Sequence, residues 1–368
     1  MRLTKSSFAA LPGWHRSDPR AALSAFVRSC AAMAVQAAAL GGAGYAGSAA
    51  DWRAPCHAAQ ATNGAQARSF FERWFLPLRI SAGDVKDGLF TGYYEPQLSA
   101  SRERHGAFET PVYGVPNDLV GVDLGAFRPA LRGEHIAGKV ESGRLIPYAT
   151  RAQIDAAGLP SARVLFYAED PVGVFFLHIQ GSGRVRFDDG RWERVAYAAQ
   201  NGQIYTPIGR IVKGNGALQP GNISMQSIRA WLRDNPSAAR RVMETDASYI
   251  FFKEEPIGDP ALGAKGAEGV ALTPGASLAV DPRLHALGVP FFVSTTLPDA
   301  TPCQGLFVAQ DIGGAIRGPV RGDIFFGFGT KAEKLAGSMS QTGRLFVLLP
   351  KAVAARLKDT TDYPTSGP

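Results

Sequence analysis

Leu306-Phe-Val-Ala-Gln-Asp311-Ile-Gly-Gly-Ala-Ile-Arg-Gly318-Pro-Val-Arg-Gly-Asp323-Ile-Phe-Phe-Gly-Phe-Gly329 holds two short apolar runs, each bounded by glycine. Runs of this length between turn residues predict buried strands rather than helices. Asp311 closes the first run and Asp323 opens the second. The glycines beside them let a bulky ligand approach the backbone. A carboxylate in such surroundings is either satisfied by hydrogen bonds or reactive.

The same texture continues outward. Of 368 residues, 42 are glycine and 25 proline, while 45% are hydrophobic, so a large core is available and turns are frequent. This predicts a folded, mostly β chain with few helices, holding two domains. Leu89–Tyr94, Val164–Tyr167, Val172–Gln180, Arg184–Phe187 and Trp192–Val195 are apolar runs of a β region, with Asp188-Asp189-Gly190 as a hairpin turn. Further runs follow at Tyr249–Phe252, Gly269–Leu272, Ser277–Val280, Pro290–Ser294 and Arg344–Leu349.

Helices are signalled in few places. Asp18-Pro19 is a cap and first-turn pair ahead of Ala22, Leu23, Phe26, Val27 and Cys30 on one face. A second helix begins near Asn63, aligns Ala67, Phe70, Phe71, Trp74 and Phe75, and stops at Pro77. Two more are expected from Ser224 to about Arg233 and from Pro236 to about Glu244. The tail after Lys358 is polar and reads as unstructured.

The formal charge of +7 is carried by scattered Lys and Arg, with no basic run and no interleaved aromatics, so nucleic acid is not an expected partner. The six histidines and three cysteines never stand at metal-ligand spacing, and no metal or other cofactor is expected. Cys30 and Cys56 could pair in an oxidising compartment, leaving Cys303 as a lone thiol. The first residues lack the apolar core of an export signal, and residues 31–50, uncharged but rich in Ala and Gly, are too weakly apolar for a membrane span. A helix end followed by a loop is expected there.

Gly181-Ser182-Gly183 lacks the outer spacing of a nucleophile elbow, so Ser182 is a turn residue or a hydrogen-bonding group. Gly327-Phe-Gly329 is a glycine turn feeding a helix at Thr330. Alternation along Gly322-Asp-Ile-Phe-Phe puts Asp323 and Phe325 on one strand face, and an apolar neighbour raises a carboxyl pKa towards that of a general acid. The alternative is a turn-capping aspartate. Asp311 is either the second carboxylate of a glycosidase pair or a strand-end residue bonding nearby amides.

Several strings together settle on one family: Phe90-Thr-Gly-Tyr-Tyr-Glu-Pro96, His178-Ile-Gln-Gly-Ser-Gly183, Asn201-Gly202 with Ile208-Gly-Arg210, Ser248-Tyr-Ile-Phe-Phe252, Ala271-Leu-Thr-Pro274, Ala279-Val-Asp-Pro282 and Ala309-Gln-Asp-Ile-Gly-Gly-Ala-Ile-Arg-Gly318. In this order the chain resembles the membrane-bound lytic transglycosylase A family. Leu11-Pro-Gly-Trp14 resembles the start of that family's mature domain. The two aspartates stand one residue further apart than in the family pattern, which points to an insertion near Pro319, and Asp246-Ala247 replaces the family's Asn-Pro.

The resemblance implies a double-psi β-barrel built from both chain ends, residues 1–96 and 255–368, with a β-barrel-like domain inserted at 97–254. It implies a peptidoglycan lytic exotransglycosylase that cleaves the β-1,4 bond between N-acetylmuramic acid and N-acetylglucosamine and leaves a 1,6-anhydromuramyl end. Asp323 matches the family's catalytic aspartate and Asp311 its companion; Thr91, Tyr93, Gln180, Ser182 and Ser248 are candidate sugar contacts. Tyr93 and Ser248 are equally open to packing and turn roles. Glycan strands of peptidoglycan are the implied partner, with other cell-wall enzymes as further candidates, in a periplasmic monomer. Outer-membrane association would need an anchor that this stretch of sequence does not display. Two other functions remain open: an expansin-like wall-binding protein without catalysis, and a two-carboxylate muramidase using Asp311 and Asp323.

Overall fold

The computed structural model describes residues 1–35, 40–131, 134–214 and 224–364. It forms two compact units, the first from Met1–Tyr93, Ala261–Gly327 and Met339–Pro368, the second from Tyr94–Pro260 with Phe328–Ser338. Among the described residues no helix is long and apolar enough to cross a membrane.

The first unit is built on six strands: β1 (Gly88–Glu95), β2 (Ser277–Val280), β3 (Pro290–Thr296), β4 (Pro302–Ile312), β5 (Arg321–Phe328) and β6 (Ser340–Pro350). Their order is β3–β4–β2–β5–β1–β6, and β6 pairs back onto β3, so the sheet closes into a barrel. Closure leaves no free edge among these strands. Both chain ends extend the sheet beyond β6: Phe75–Ser81 pairs with β6, Arg2–Lys5 with Phe75–Ser81, and Thr360–Asp362 with Arg2–Lys5. The tail after Lys358 is therefore not wholly unstructured as its polarity suggested, because its backbone finds an open strand edge at Arg2–Lys5; residues 365–368 lie outside the described residues.

Helices Arg20–Ala34, Ala49–Gln60 and Ala67–Trp74 cover part of the barrel. The first begins one residue later than the Asp18-Pro19 signal predicts, with Pro19 rather than Asp18 in the cap position, though the Asp18 carboxylate accepts the Arg20 N–H there. Fully buried Phe26, Trp52, Phe71 and Phe75 stack there at centroid separations of 5.6 to 6.3 Å. A disulfide between Cys30 and Cys56 ties the first two helices together. Closing such a loop contributes about 3 kcal/mol by restricting the unfolded chain. Phe75 begins a strand rather than ending the helix, because Pro77 starves the helix of a donor. The helix Ala49–Gln60, capped by Ser48 and Asp51, is absent from the sequence expectation; Pro55 inside it masked the pattern. The loop expected across residues 31–50 follows the helix end at Ala34, with 36–39 outside the described residues.

The second unit holds a six-stranded sheet in the order Ile250–Glu255, Trp192–Gln200, Ser182–Phe187, Gln97–Ser101, Val164–Ala168, Thr110–Tyr113. Its first and last strands approach within 8 Å between Cα atoms, which curls the sheet towards a barrel. Ser182–Phe187 and Trp192–Gln200 form the hairpin predicted around Asp189-Gly190. Fully buried Glu95 sits between Arg184 and Arg194, at 3.2 and 2.8 Å. The run Val172–Gln180 is not a strand but the buried helix Pro171–Gln180, started by Asp170-Pro171 and ended by Gly181 at φ 77°. An apolar run buried on every side has no period that separates helix from strand. Gly269–Leu272 likewise makes only an isolated bridge, Ala271 to Lys265.

Candidate active site

Ala279, in β2, is the pivot of the site. Its register partner on one side is Asp311 of β4, and on the other Asp323 of β5. Paired residues project to the same face, so two carboxylates flank one methyl group, two strand spacings or about 10 Å apart across the sheet. Leu272, Ile316, Phe325 and Tyr93 wall this face with apolar surface, the last two rings lying 5.2 Å apart.

Asp311 reaches that face through a bulge. Leu278 pairs with Ala309 and Ala279 with Asp311, which leaves Gln310 as an extra residue and shifts the alternation by one. Gln310 turns inward and is fully buried. Its oxygen accepts from Ser277 Oγ at 2.5 Å, and its nitrogen donates to the Ala25 carbonyl at 3.0 Å and to Ser29 Oγ at 2.9 Å. Every polar atom of the displaced side chain is thereby used.

Three donors hold the Asp311 carboxylate. Tyr93 donates its hydroxyl to Oδ2 at 2.9 Å, and the N–H groups of Ala267 and Ile312 donate to Oδ1, each at 3.0 Å. Burial pushes Asp311 up, and these bonds act against it. The Ala267 loop comes close enough because Gly266 lies against Gln310: a Cβ there would stand 2.4 Å from the Gln310 carbonyl oxygen. Glu268 continues the clamp, donating its N–H to that carbonyl at 3.1 Å and accepting from Ser29 Oγ at 2.6 Å. Burial pushes its carboxyl up to about 7.

Asp323 has fewer donors. Gly322 before it packs so closely that a Cβ would stand 2.9 Å from Leu278 and 3.0 Å from Phe90. Burial pushes Asp323 up to about 6; a hydrogen bond from Thr91 Oγ1 at 2.5 Å and the Arg321 charge oppose this, and Asp311 adds to it. Arg321 also donates to Thr91 Oγ1 at 2.8 Å, so the hydroxyl relays its polarisation to the carboxylate. Arg321 was not anticipated, although it stands two residues before Asp323 on the same strand face and period-two reasoning would have found it. Replacing Thr91 by Val removes a donor that favours the charged form. The alkaline limb of the pH–activity profile then moves up by as much as about one unit, and a downward shift would contradict the assignment.

Thr91 and Tyr93 are thus brought onto the two aspartates. Gln180, Ser182 and Ser248 belong to the second unit. There Gln180 Oε1 accepts the Tyr94 N–H at 2.9 Å; Ser182, buried, opens a strand opposite Ala196; Ser248, also buried, donates its N–H to Asp246 at 3.2 Å. Asp246 also accepts from the Thr206 N–H at 3.0 Å, so it fills the turn role that an asparagine oxygen would. Among the described residues no group of three His, Cys, Asp or Glu side chains could hold a metal ion.

Residues 89–253 match the family described as the MltA specific insert domain, and residues 276–349 match the 3D domain. Membrane-bound lytic murein transglycosylase A of Escherichia coli strain K12 is 32% identical over 285 residues, 75% of this chain and 69% of that protein. A membrane-bound lytic murein transglycosylase from Agrobacterium tumefaciens superposes with a TM-score of 0.84 at 34% identity, covering 96% of this chain and 99% of that one. Escherichia coli MltA with bound chitohexaose superposes with a TM-score of 0.64 at 28% identity, over 82% and 83% of the two chains. The first unit is accordingly the double-psi β-barrel expected from the sequence.

Proposed function

Because the chain belongs to the membrane-bound lytic murein transglycosylase A family and is a peptidoglycan-cleaving lytic transglycosylase, we propose that Asp323 alone carries the proton transfers of its reaction. The supporting observation is the contrast between the two carboxylates. Asp323 sits against apolar walls with its pKa pushed up to about 6, whereas three donors engage Asp311. A carboxyl held partly neutral near neutral pH is a usable general acid, and one bound by amides is a poor base.

Asp323 gives its proton to the glycosidic oxygen as the bond to C1 breaks, so the leaving sugar departs as an alcohol. The C6 hydroxyl of the same muramic acid bonds to C1, and its proton passes to the Asp323 carboxylate. No water is consumed, and the enzyme ends as it began. A second carboxylate is unnecessary because the nucleophile belongs to the substrate, already close to C1. Thr91 tunes the carboxyl, while Tyr93 and Asp311 hold the barrel loop; Gln180, Ser182 and Ser248 are kept as candidate sugar contacts in an inserted domain spanning 97–254. The disulfide supports an oxidising compartment such as the periplasm. The relatives are named membrane-bound, which supports association with a membrane; we further propose that this is the outer membrane, reached through an anchor.

Asp311→Asn lowers turnover by about tenfold and costs some stability, since the amide weakens a clamp without removing the acid. A loss equal to that of Asp323→Asn with unchanged melting would move the chemistry to a two-carboxylate mechanism. The function itself is tested on purified sacculi: soluble anhydromuropeptides are expected. Binding with no soluble product would mean an expansin-like protein.

A further inference from the structure

Residues 313–320 form the loop that joins β4, which carries Asp311, to β5, which carries Asp323. Gly314, Ala315 and Arg317 in this loop are exposed, yet Ile316 turns inward and is buried in the apolar wall shared by Tyr93, Leu272, Ala279 and Phe325. Arg321, the first residue of β5, donates to Thr91, whose hydroxyl donates to Asp323. The dry wall before Asp323 and the polar relay beside it therefore both depend on where this loop is held.

Two buried side chains from the segment after β2 grip it at Gly318-Pro319. Gly318 has φ 107°, a conformation that side-chain-bearing residues rarely adopt, and Pro319 has a fixed φ and no N–H. The fully buried Asp281 carboxylate accepts the Gly318 N–H on Oδ2 at 2.8 Å, while Arg283 donates to its two oxygens at 3.0 and 2.8 Å. His285, 1% exposed, has Nε2 at 2.9 Å from the Pro319 carbonyl oxygen and Nδ1 at 2.8 Å from the Tyr45 hydroxyl. A carbonyl only accepts, so Nε2 carries the hydrogen. Burial pushes the imidazole pKa down to about 4, against the Pro319 bond and the Asp281 charge, so the ring is neutral and Tyr45 donates to Nδ1. The Tyr45 and Phe291 rings stand edge-on to the imidazole at 6.0 and 5.2 Å, which fixes its plane.

We propose that His285 is a positioning residue for the reaction: through Pro319 it holds the loop that sets Ile316 and Arg321 around Asp323, with Asp281 as the second grip and Tyr45 fixing the tautomer. The assignment rests on the role given to Asp323 above. His285 bonds Tyr45 and Pro319 and neither site aspartate, so its influence travels through the loop. Without the Pro319 bond Ile316 loosens and water enters the wall. Burial is the largest influence raising the Asp323 carboxyl, so wetting the wall makes it titrate lower and leaves less acid at neutral pH.

Carbon-13 NMR titration of the full chain, labelled at its aspartate carboxyls, reads Asp323 without requiring activity, and Asp323→Asn identifies its resonance. In His285→Phe, which keeps a ring but loses the donor, Asp323 is expected to titrate at least about 0.5 pH unit lower than in wild type. Turnover of sacculi at pH 7 is expected to fall about threefold, with KM within about twofold. His285→Gln, whose amide supplies both an N–H and an oxygen, is expected to restore both readings. An Asp323 titration within about 0.2 pH unit of wild type in folded His285→Phe would overturn the proposal. So would a His285→Gln variant that melts as the wild type does yet shifts as far as His285→Phe. If His285→Phe does not fold, Tyr45→Phe carries the test, because it frees the ring to take the other tautomer; a smaller downward shift is expected, and no shift would overturn the proposal. If Asp323→Asn still cuts sacculi while the titration of Asp323 moves as expected, the grip on the loop stands and the single-aspartate reading falls.

Discussion

Asp323→Asn reduces release of soluble glycan fragments by on the order of 10³-fold or more, while the protein melts as the wild type does. The amide keeps the shape and the bond with Thr91 but can neither deliver nor retrieve a proton. The pH profile carries the same signature. With its pKa pushed up to about 6, Asp323 is partly protonated at pH 6, whereas at the ordinary value of 3.8 fewer than about one molecule in a hundred would be. The general acid is the protonated form. Turnover therefore falls as pH rises through about 6, approaching tenfold per unit above it. A folded variant with undiminished activity, or a wild-type rate still climbing at pH 8, would remove Asp323 from the chemistry.

Gln310→Leu lowers stability by on the order of 3 kcal/mol and activity with it. Leucine fits the volume but leaves the Ala25 carbonyl and the hydroxyls of Ser29 and Ser277 without the partners that Gln310 supplies at 2.5 to 3.0 Å. For a unit of this size the loss corresponds to a drop in Tm of roughly 6 to 12 °C. Since Gln310 is the extra residue of the bulge, slackening it also lets Asp311 drift off the Ala279 face. Calorimetry alongside the sacculus assay checks both effects. A melting point within about 1 °C of wild type would show that the bulge is held by other contacts.

Much of the barrel was legible because its strands alternate or run apolar between glycines. Leu306–Asp311 and Asp323–Phe328 fall inside strands, and the resemblance of quoted strings located the aspartates before any geometry was known. What sequence could not carry were features decided by tertiary contact. The bulge at Gln310 depends on Ala25 and Ser29, residues some 280 positions away in the chain. Helix Pro171–Gln180 is apolar on all sides, so only its cap residues distinguished it from a strand. The reach of Ala267 to Asp311 depends on a glycine with no side chain to signal it. The Arg321–Thr91–Asp323 relay joins positions 230 residues apart through hydroxyl geometry that no local pattern encodes.

Digestion of purified peptidoglycan in water enriched in heavy oxygen tests the single-aspartate transglycosylase most directly. The sugar's own hydroxyl reaches C1 only if the site keeps water from the oxocarbenium-like centre, so no solvent oxygen enters the product. Mass spectrometry should find muropeptides ending in 1,6-anhydromuramic acid, unlabelled, with no new reducing ends. Labelled, reducing muramic acid as the main product would contradict it: water would be the nucleophile, Asp311 its activating base, and the enzyme a hydrolase.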